Sequence, residues 1–153
     1  YQFVRIPAFA VNRSKRLTKA PKLYGADAGL ASFLAGIHDA GALRASPLAG
    51  ALLENLVLVQ LMAWRERRSP RPDILTWRTV SGLEVDFVIE TPGRWIPVEV
   101  KAAARVQASD ARGVEAFVAE YPEEAPFGVV LHTGGEASLL SAKVAALPLS
   151  RFL

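Results

Sequence analysis

Two short segments constrain this chain more than anything else in it: Glu84-Val85-Asp86-Phe87-Val88-Ile89-Glu90 and Trp95-Ile96-Pro97-Val98-Glu99-Val100-Lys101. Side chains in a strand alternate between two faces. Val85, Phe87 and Ile89 therefore share one face of the first segment, and Ile96, Val98 and Val100 share one face of the second. These are core faces. The opposite faces carry Glu84, Asp86 and Glu90, then Glu99 and Lys101. Acids and a lysine gathered on the inner face of a hairpin need a partner, because unpaired charge is costly away from water.

The connection Thr91-Pro92-Gly93-Arg94 has Pro second and Gly third, as a turn does. If Thr91 and Arg94 flank a two-residue loop, counting back opposes Asp86 to Glu99 and Glu84 to Lys101. Directly opposed residues have Cβ atoms roughly 4.5–5.5 Å apart. Two carboxylates that close repel unless a cation lies between them, and a divalent metal ion meets that need. Pro-Gly favours a type II turn, whereas tight hairpins prefer the mirror-image types. A slip of one residue would bury Asp86 and expose Val85, Phe87 and Ile89.

An Asp on one strand followed by Glu-x-Lys on the next resembles the PD-(D/E)XK nuclease signature, with Asp86 and Glu99-Val100-Lys101 at its centre. Members of that superfamily place a glutamate on a helix before the first strand. Glu54, in Gly50-Ala51-Leu52-Leu53-Glu54-Asn55, matches it. A longer string is also similar to the uncharacterised C-terminal domain found on many prokaryotic AAA+-type ATPases. It runs from Lys22-Leu23-Tyr24 with Asp27 and Gly29, through Gly50–Asn55, to Trp77-Arg78-Thr79 with Ser81-Gly82. It continues through Glu84–Phe87 and Pro97–Lys101 to Ala146-Leu147-Pro148-Leu149. The resemblance implies catalytic residues Asp86, Glu99, Lys101 and Glu54. Asp86, Glu99 and Glu54 would be ligands of Mg²⁺ (or Mn²⁺), a hard cation suited to carboxylate oxygens and water. Lys101 would orient the attacking water and offset charge developing on phosphorus oxygens.

The chain has 153 residues, which bounds it at one domain, or one with a short appendage. At 51% hydrophobic it can bury a core. No run of 18 or more apolar residues is present, so no membrane span is expected. The absence of cysteine excludes disulfides and thiolate metal sites. It also suits a cytoplasmic protein. The chain opens on Tyr1 and carries no G-x-x-x-x-G-K-[S/T]. The expectation is a piece of a longer polypeptide whose ATPase domain lies elsewhere.

Net charge is only +3, but it is unevenly spread. Before Asp27 come Arg5, Arg13, Lys15, Arg16, Lys19 and Lys22, with no acid among them. Arg65, Arg67, Arg68 and Arg71 form a second cluster. Such clusters hold phosphate backbones, so Lys15, Arg16 and Lys19 are candidate nucleic-acid contacts. Arg78, in the Trp77-Arg78-Thr79 string, is a further candidate, or else an ion-pair partner of a site carboxylate. The plainer readings are a solvated arm for the first cluster and a cap on a helix C-terminus for the second.

Residues 1–22 read as an extended or partly helical arm. Asp27 caps a helix with Leu30, Phe33, Leu34 and Ile37 at helical spacing. A long helix follows over residues 47–67. Strands are expected at 74–80, 84–90, 95–102, 127–132 and 144–149, with a helix capped by Ser109 or Asp110 after the third. The fold class is α/β (α+β): a restriction-endonuclease-like mixed β-sheet flanked by helices, in the order α-β-β-β-α-β-β, with an N-terminal arm. Residues 1–46 would be the basic arm and short helix leading from the ATPase domain, and 47–153 the nuclease-like domain.

Each candidate has a plainer reading. Glu54 can sit on a helix surface beside an arginine. Asp86, Glu99 and Lys101 can form a structural ion network, with Lys101 bridging Glu84. Trp77 packs in the core, His38 and His132 are structural, and Tyr24 and Asp27 fix the arm and cap its helix. Two functions follow. One is Mg²⁺-dependent phosphodiester hydrolysis of DNA, with the ATPase of the same polypeptide remodelling the substrate. The other is an inactive nuclease-fold module that docks nucleic acid or protein.

Overall fold

The computed structural model describes residues 2–17 and 20–152. The first segment is not a free arm. β1 (Phe3–Ile6) pairs antiparallel with β2 (Lys22–Gly25), from Phe3↔Gly25 to Ile6↔Lys22. Between them a single 3₁₀ turn spans Arg13–Leu17. Ile6, Phe9 and Tyr24 are buried in the body of the protein, so the expected division at residue 46 cuts through shared core. Arg16 is only 8% exposed, and its guanidinium reaches Glu90 in a bidentate pair at 2.6 and 3.1 Å. That pairing removes Arg16 from the surface cluster expected to contact phosphate. Lys15 stays on the surface, and Lys19 lies outside the described residues.

Helix α1 (Ala28–Leu34) is capped by Asp27, whose side chain accepts from the Leu30 N–H, as expected. It leaves Phe33 and Leu34 exposed. α2 (Ala40–Ala45) is capped by Asp39. α3 (Ala49–Glu66) runs under the sheet and buries Asn55, Val57, Leu58 and Leu61. Its i, i+3, i+4 stripe is the inner face, while α1 and α2 flank its other sides. Arg65 near its C-terminus donates to the Pro72 carbonyl, beyond the helix, and so ties the following segment to α3.

Six strands form one mixed sheet in the order β3-β4-β5-β6-β8-β7. β3 (Asp73–Arg78), β4 (Glu84–Thr91) and β5 (Arg94–Lys101) are antiparallel neighbours. α4 (Arg112–Glu120) then carries the chain back, so β6 (Gly128–His132) lies parallel to β5 and β8 (Val144–Pro148) parallel to β6. The two-residue β7 (Ser138–Leu139), absent from the sequence reading, adds an antiparallel edge. α3 and α4 cover opposite faces. Val114, Phe117 and Val118 of α4 pack on Leu75, Val88 and Val130, while Val57, Leu58 and Leu61 of α3 pack on Ile74, Phe87 and Leu131. A sheet buried on both sides explains the continuous apolar runs of its strands. No described helix is long and apolar enough to cross a membrane.

The central hairpin holds the expected register from Thr91↔Arg94 to Phe87↔Val98, with Gly93 at φ +74° in the turn. One expectation fails. Pairing with β3 shifts between Leu75↔Val88 and Trp77↔Val85, so two β4 residues, Asp86 and Phe87, oppose one on β3. This bulge turns Val85 to the α4 side beside Trp77, away from Phe87 and Ile89 on the α3 side. An extra residue on one strand reverses the alternation beyond it.

Candidate acidic site at the parting of two strands

The bulge places Asp86 where β4 and β5 separate. The ladder with β5 ends at Phe87↔Val98, and the Val100 N–H donates instead to Asp86 Oδ2 at 2.9 Å. The pairs expected next, Asp86↔Glu99 and Glu84↔Lys101, fall beyond that ladder. Asp86 and Glu99 are nonetheless both buried, at 7% exposure each.

Lys101 lies two residues along β5 from Glu99, hence on the same strand face, and its Nζ is 2.7 Å from Glu99 Oε1. The other Glu99 oxygen, Oε2, is buried without a hydrogen-bond partner in the protein. Glu84 is exposed, and its ion pair is with Arg78 at 3.9 Å. Arg78 is itself 73% exposed, so that pair is a weak one. Trp77 is buried against α4, as expected.

Glu54 enters from α3. Its Oε1 lies 2.6 Å from Lys22 Nζ and accepts a hydrogen bond from the Tyr24 hydroxyl. Lys22 and Tyr24 reach one carboxylate because they are alternate residues of β2. Asn55, the next residue on α3, fixes this approach. Its Oδ1 accepts from the Gly25 N–H at 2.7 Å, and its Nδ2 donates to the Gly25 carbonyl at 3.0 Å. Lys22 Nζ is also 3.7 Å from Asp86 Oδ1 and so links the Glu54 end of the cluster to Asp86.

The electrostatics follow from crowding. Burial pushes the Asp86 carboxyl up to about 7, and the negative charges of Glu99 and Glu54 add to it; the Val100 N–H and Lys22 pull only part of the way back. Burial also raises Glu99 above the usual carboxylate range, against the opposing pull of Lys101. Burial would lower Lys101 and Lys22, but their carboxylate partners outweigh it and raise both. Tyr24 is raised by burial and then by Glu54, so it remains a hydrogen-bond donor.

The structure thus gathers Asp86, Glu99, Lys101 and Glu54 at one end of the hairpin, and adds Lys22 and Tyr24. A cleft of about 510 Å³ opens beside Asp86 and Lys22, lined also by Trp77, Arg78 and Glu84. Among the described residues no three His, Cys, Asp or Glu side chains stand close enough to hold a metal ion, and lysines pair with Glu54 and Glu99. The donor set nevertheless suits a hard divalent cation. Its groups are oxygens, its carboxylates are crowded, and one buried oxygen lacks a partner. Lys22 and Tyr24 escaped identification as site residues because their strand reads as an arm. The three alternating residues Lys22-Leu23-Tyr24 are too few to mark a strand.

A family model described as "Domain of unknown function (DUF4143)" matches residues 49–152, and the chain belongs to that family. The uncharacterized protein Rv2008c of Mycobacterium tuberculosis is 41% identical over 95 residues, which are 62% of this chain and 20% of that protein. The uncharacterized protein Mb2031c of Mycobacterium bovis matches with the same identity and coverage. The matched stretch is thus about a fifth of the length of these curated relatives. No solved structure matches.

Proposed function

We propose that this DUF4143 member is a nuclease-like domain whose Asp86, Glu99, Lys101 and Glu54 serve Mg²⁺- or Mn²⁺-dependent hydrolysis of DNA phosphodiesters. The observation that carries the reading is the burial of Asp86 and Glu99 together, with Lys101 on one carboxylate and an orphan oxygen on Glu99. Two strands deliver these groups where their ladder ends, and a helix brings a further acid. The order α3-β3-β4-β5-α4-β6, with helices on opposite sheet faces, supports a restriction-endonuclease-like core.

In this reading Asp86 and Glu99 would hold the cation, with Glu54 as a further oxygen donor. A bound divalent ion lowers the pKa of its water and polarises the scissile phosphate. Lys101, released from Glu99, holds the attacking water and stands beside charge developing on phosphate oxygens. Arg78, exposed at the lip of the cleft, is placed to meet a phosphate backbone. An ATPase domain of the same polypeptide would supply the nucleic acid, and the greater length of the relatives leaves room for one.

The test is cleavage of single-stranded, duplex and branched DNA with Mg²⁺ or Mn²⁺. Asp86→Ala and Lys101→Ala should each lower the rate on the order of 10²–10³-fold, as loss of one charge-stabilising group does. Cleavage that survives both substitutions belongs to another protein and ends the reading. A second reading, an inactive docking module, draws support from the Lys22–Glu54 and Lys101–Glu99 contacts, which pair the carboxylates without a metal. It requires DNA or protein binding that Asp86→Ala leaves unchanged, with no cleavage under any metal.

A further inference from the structure

We propose that Lys22 is a built-in counter-cation of the Glu54–Asp86 end of the site, and that a divalent ion loads by displacing it. The inference rests on the metal-site reading above, and it starts from three observations. First, Lys22 Nζ stands 2.6 Å from Glu54 Oε1 and 3.7 Å from Asp86 Oδ1, joining a helix acid to a strand acid. A cation bridging Glu54 and Asp86 needs the volume that this ammonium fills.

Second, the three side chains differ in freedom. The Lys22 side chain is 41% exposed, while the side chains of Glu54 and Asp86 are 14% and 9% exposed. The lysine lies at the end of β2, and the cleft of about 510 Å³ is lined by both Lys22 and Asp86. The ammonium therefore has a route to solvent, and an ion has the same route in. Glu54 keeps the Tyr24 hydroxyl when Lys22 leaves, so it does not collapse.

Third, with the exposed Glu84–Arg78 pair neutral in itself, the charges of the remaining groups balance after the exchange and not before. Glu54, Asp86 and Glu99 carry −3 when ionised, against +2 on Lys22 and Lys101, which leaves −1. Replacing Lys22 by a divalent ion brings −3 against +3. Each carboxylate is costly to bury without a compensating charge, so the exchange favours the loaded state. It also sets a threshold, because the ion must outbid a neighbour already in place.

Calorimetric titration of Mn²⁺ into the chain at pH 8, for wild type, Lys22→Met, Lys22→Arg and Asp86→Asn, tests this. Lys22→Met should bind Mn²⁺ on the order of tenfold more tightly than wild type, within the usual range of coupling between two sites. Lys22→Arg, which retains a cation, should bind no more tightly than wild type. Binding that Asp86→Asn abolishes but a folded Lys22→Met leaves unchanged or weaker would overturn the displacement and spare the metal site. No Mn²⁺ binding in any of the four proteins would end both. A second measurement needs no variant: saturating Mg²⁺ should speed amine-reactive labelling of Lys22, read by mass spectrometry. An unchanged labelling rate refutes the exchange.

Discussion

Asp86 is the residue on which the site turns, because it meets both lysine–acid pairs and a backbone amide. Its carboxyl holds a proton more tightly folded than unfolded, at about 7 against 3.8. Stability from this group is therefore fully present below about pH 4, is lost as pH rises through 7, and is level above. Asp86→Asn keeps an acceptor for the Val100 N–H and has no charge to bury. Its advantage over wild type should be larger at pH 8 than at pH 5 by on the order of 2 kcal/mol. Urea midpoints at the two pH values would check this, and parallel pH profiles would refute the assignment. Asp86, Glu99 and Lys101 were legible in the sequence because acids inside an alternating strand stand out against local expectation. The roles of Lys22 and Tyr24 were not, since each acquires its meaning from Glu54, 32 and 30 residues away. Arg16 was misread for the same reason, its partner Glu90 lying 74 residues further on.

Elements were read more securely than their packing. The five main strands and the helices α1, α3 and α4 lie within a few residues of where apolar periodicity and capping residues put them. Only contact with β3 decides that β4 bulges at Asp86, because a bulge is a property of two strands. The approach of α4 to β4 is equally invisible along the chain. A Cβ on Gly113 would stand 1.9 Å from the Glu84 carbonyl oxygen, so the helix needs glycine there to lie this close. Gly113→Ala should cost about 3 kcal/mol, as overpacking at a contact that cannot yield does. Gly135→Ala, with nothing within 4 Å of its added Cβ, should change stability by less than about 0.5 kcal/mol. Thermal midpoints of the two variants would separate these outcomes. Equal midpoints would mean that α4 sits less tightly than the structure has it.

At the scale of the whole molecule, the segment before α1 belongs to the domain. Phe9 lies in the α4-side core, its ring edge-on to Trp95, Phe117 and Tyr121 at 4.8, 5.2 and 5.4 Å between centroids. Phe9→Ala should cost about 3–5 kcal/mol, measured by denaturant unfolding. A loss under 1 kcal/mol would restore the detachable arm that the basic composition suggested. That composition misled because β1 and β2 are four residues each, too short for a periodic signal, and charge says nothing about what a buried arginine pairs with. By itself the sequence determined the mixed α and β class, the central hairpin with its register from the turn as far as Phe87↔Val98, and the presence of acids and a lysine on inner strand positions. Each follows from local rules of alternation, turn chemistry and capping, which act over a few residues. The tertiary structure alone decided that β4 and β5 part at Asp86, that Lys22 and Tyr24 complete the cluster, and that the first strands close the core. Those outcomes depend on contacts between segments far apart in the chain, and no local periodicity encodes them.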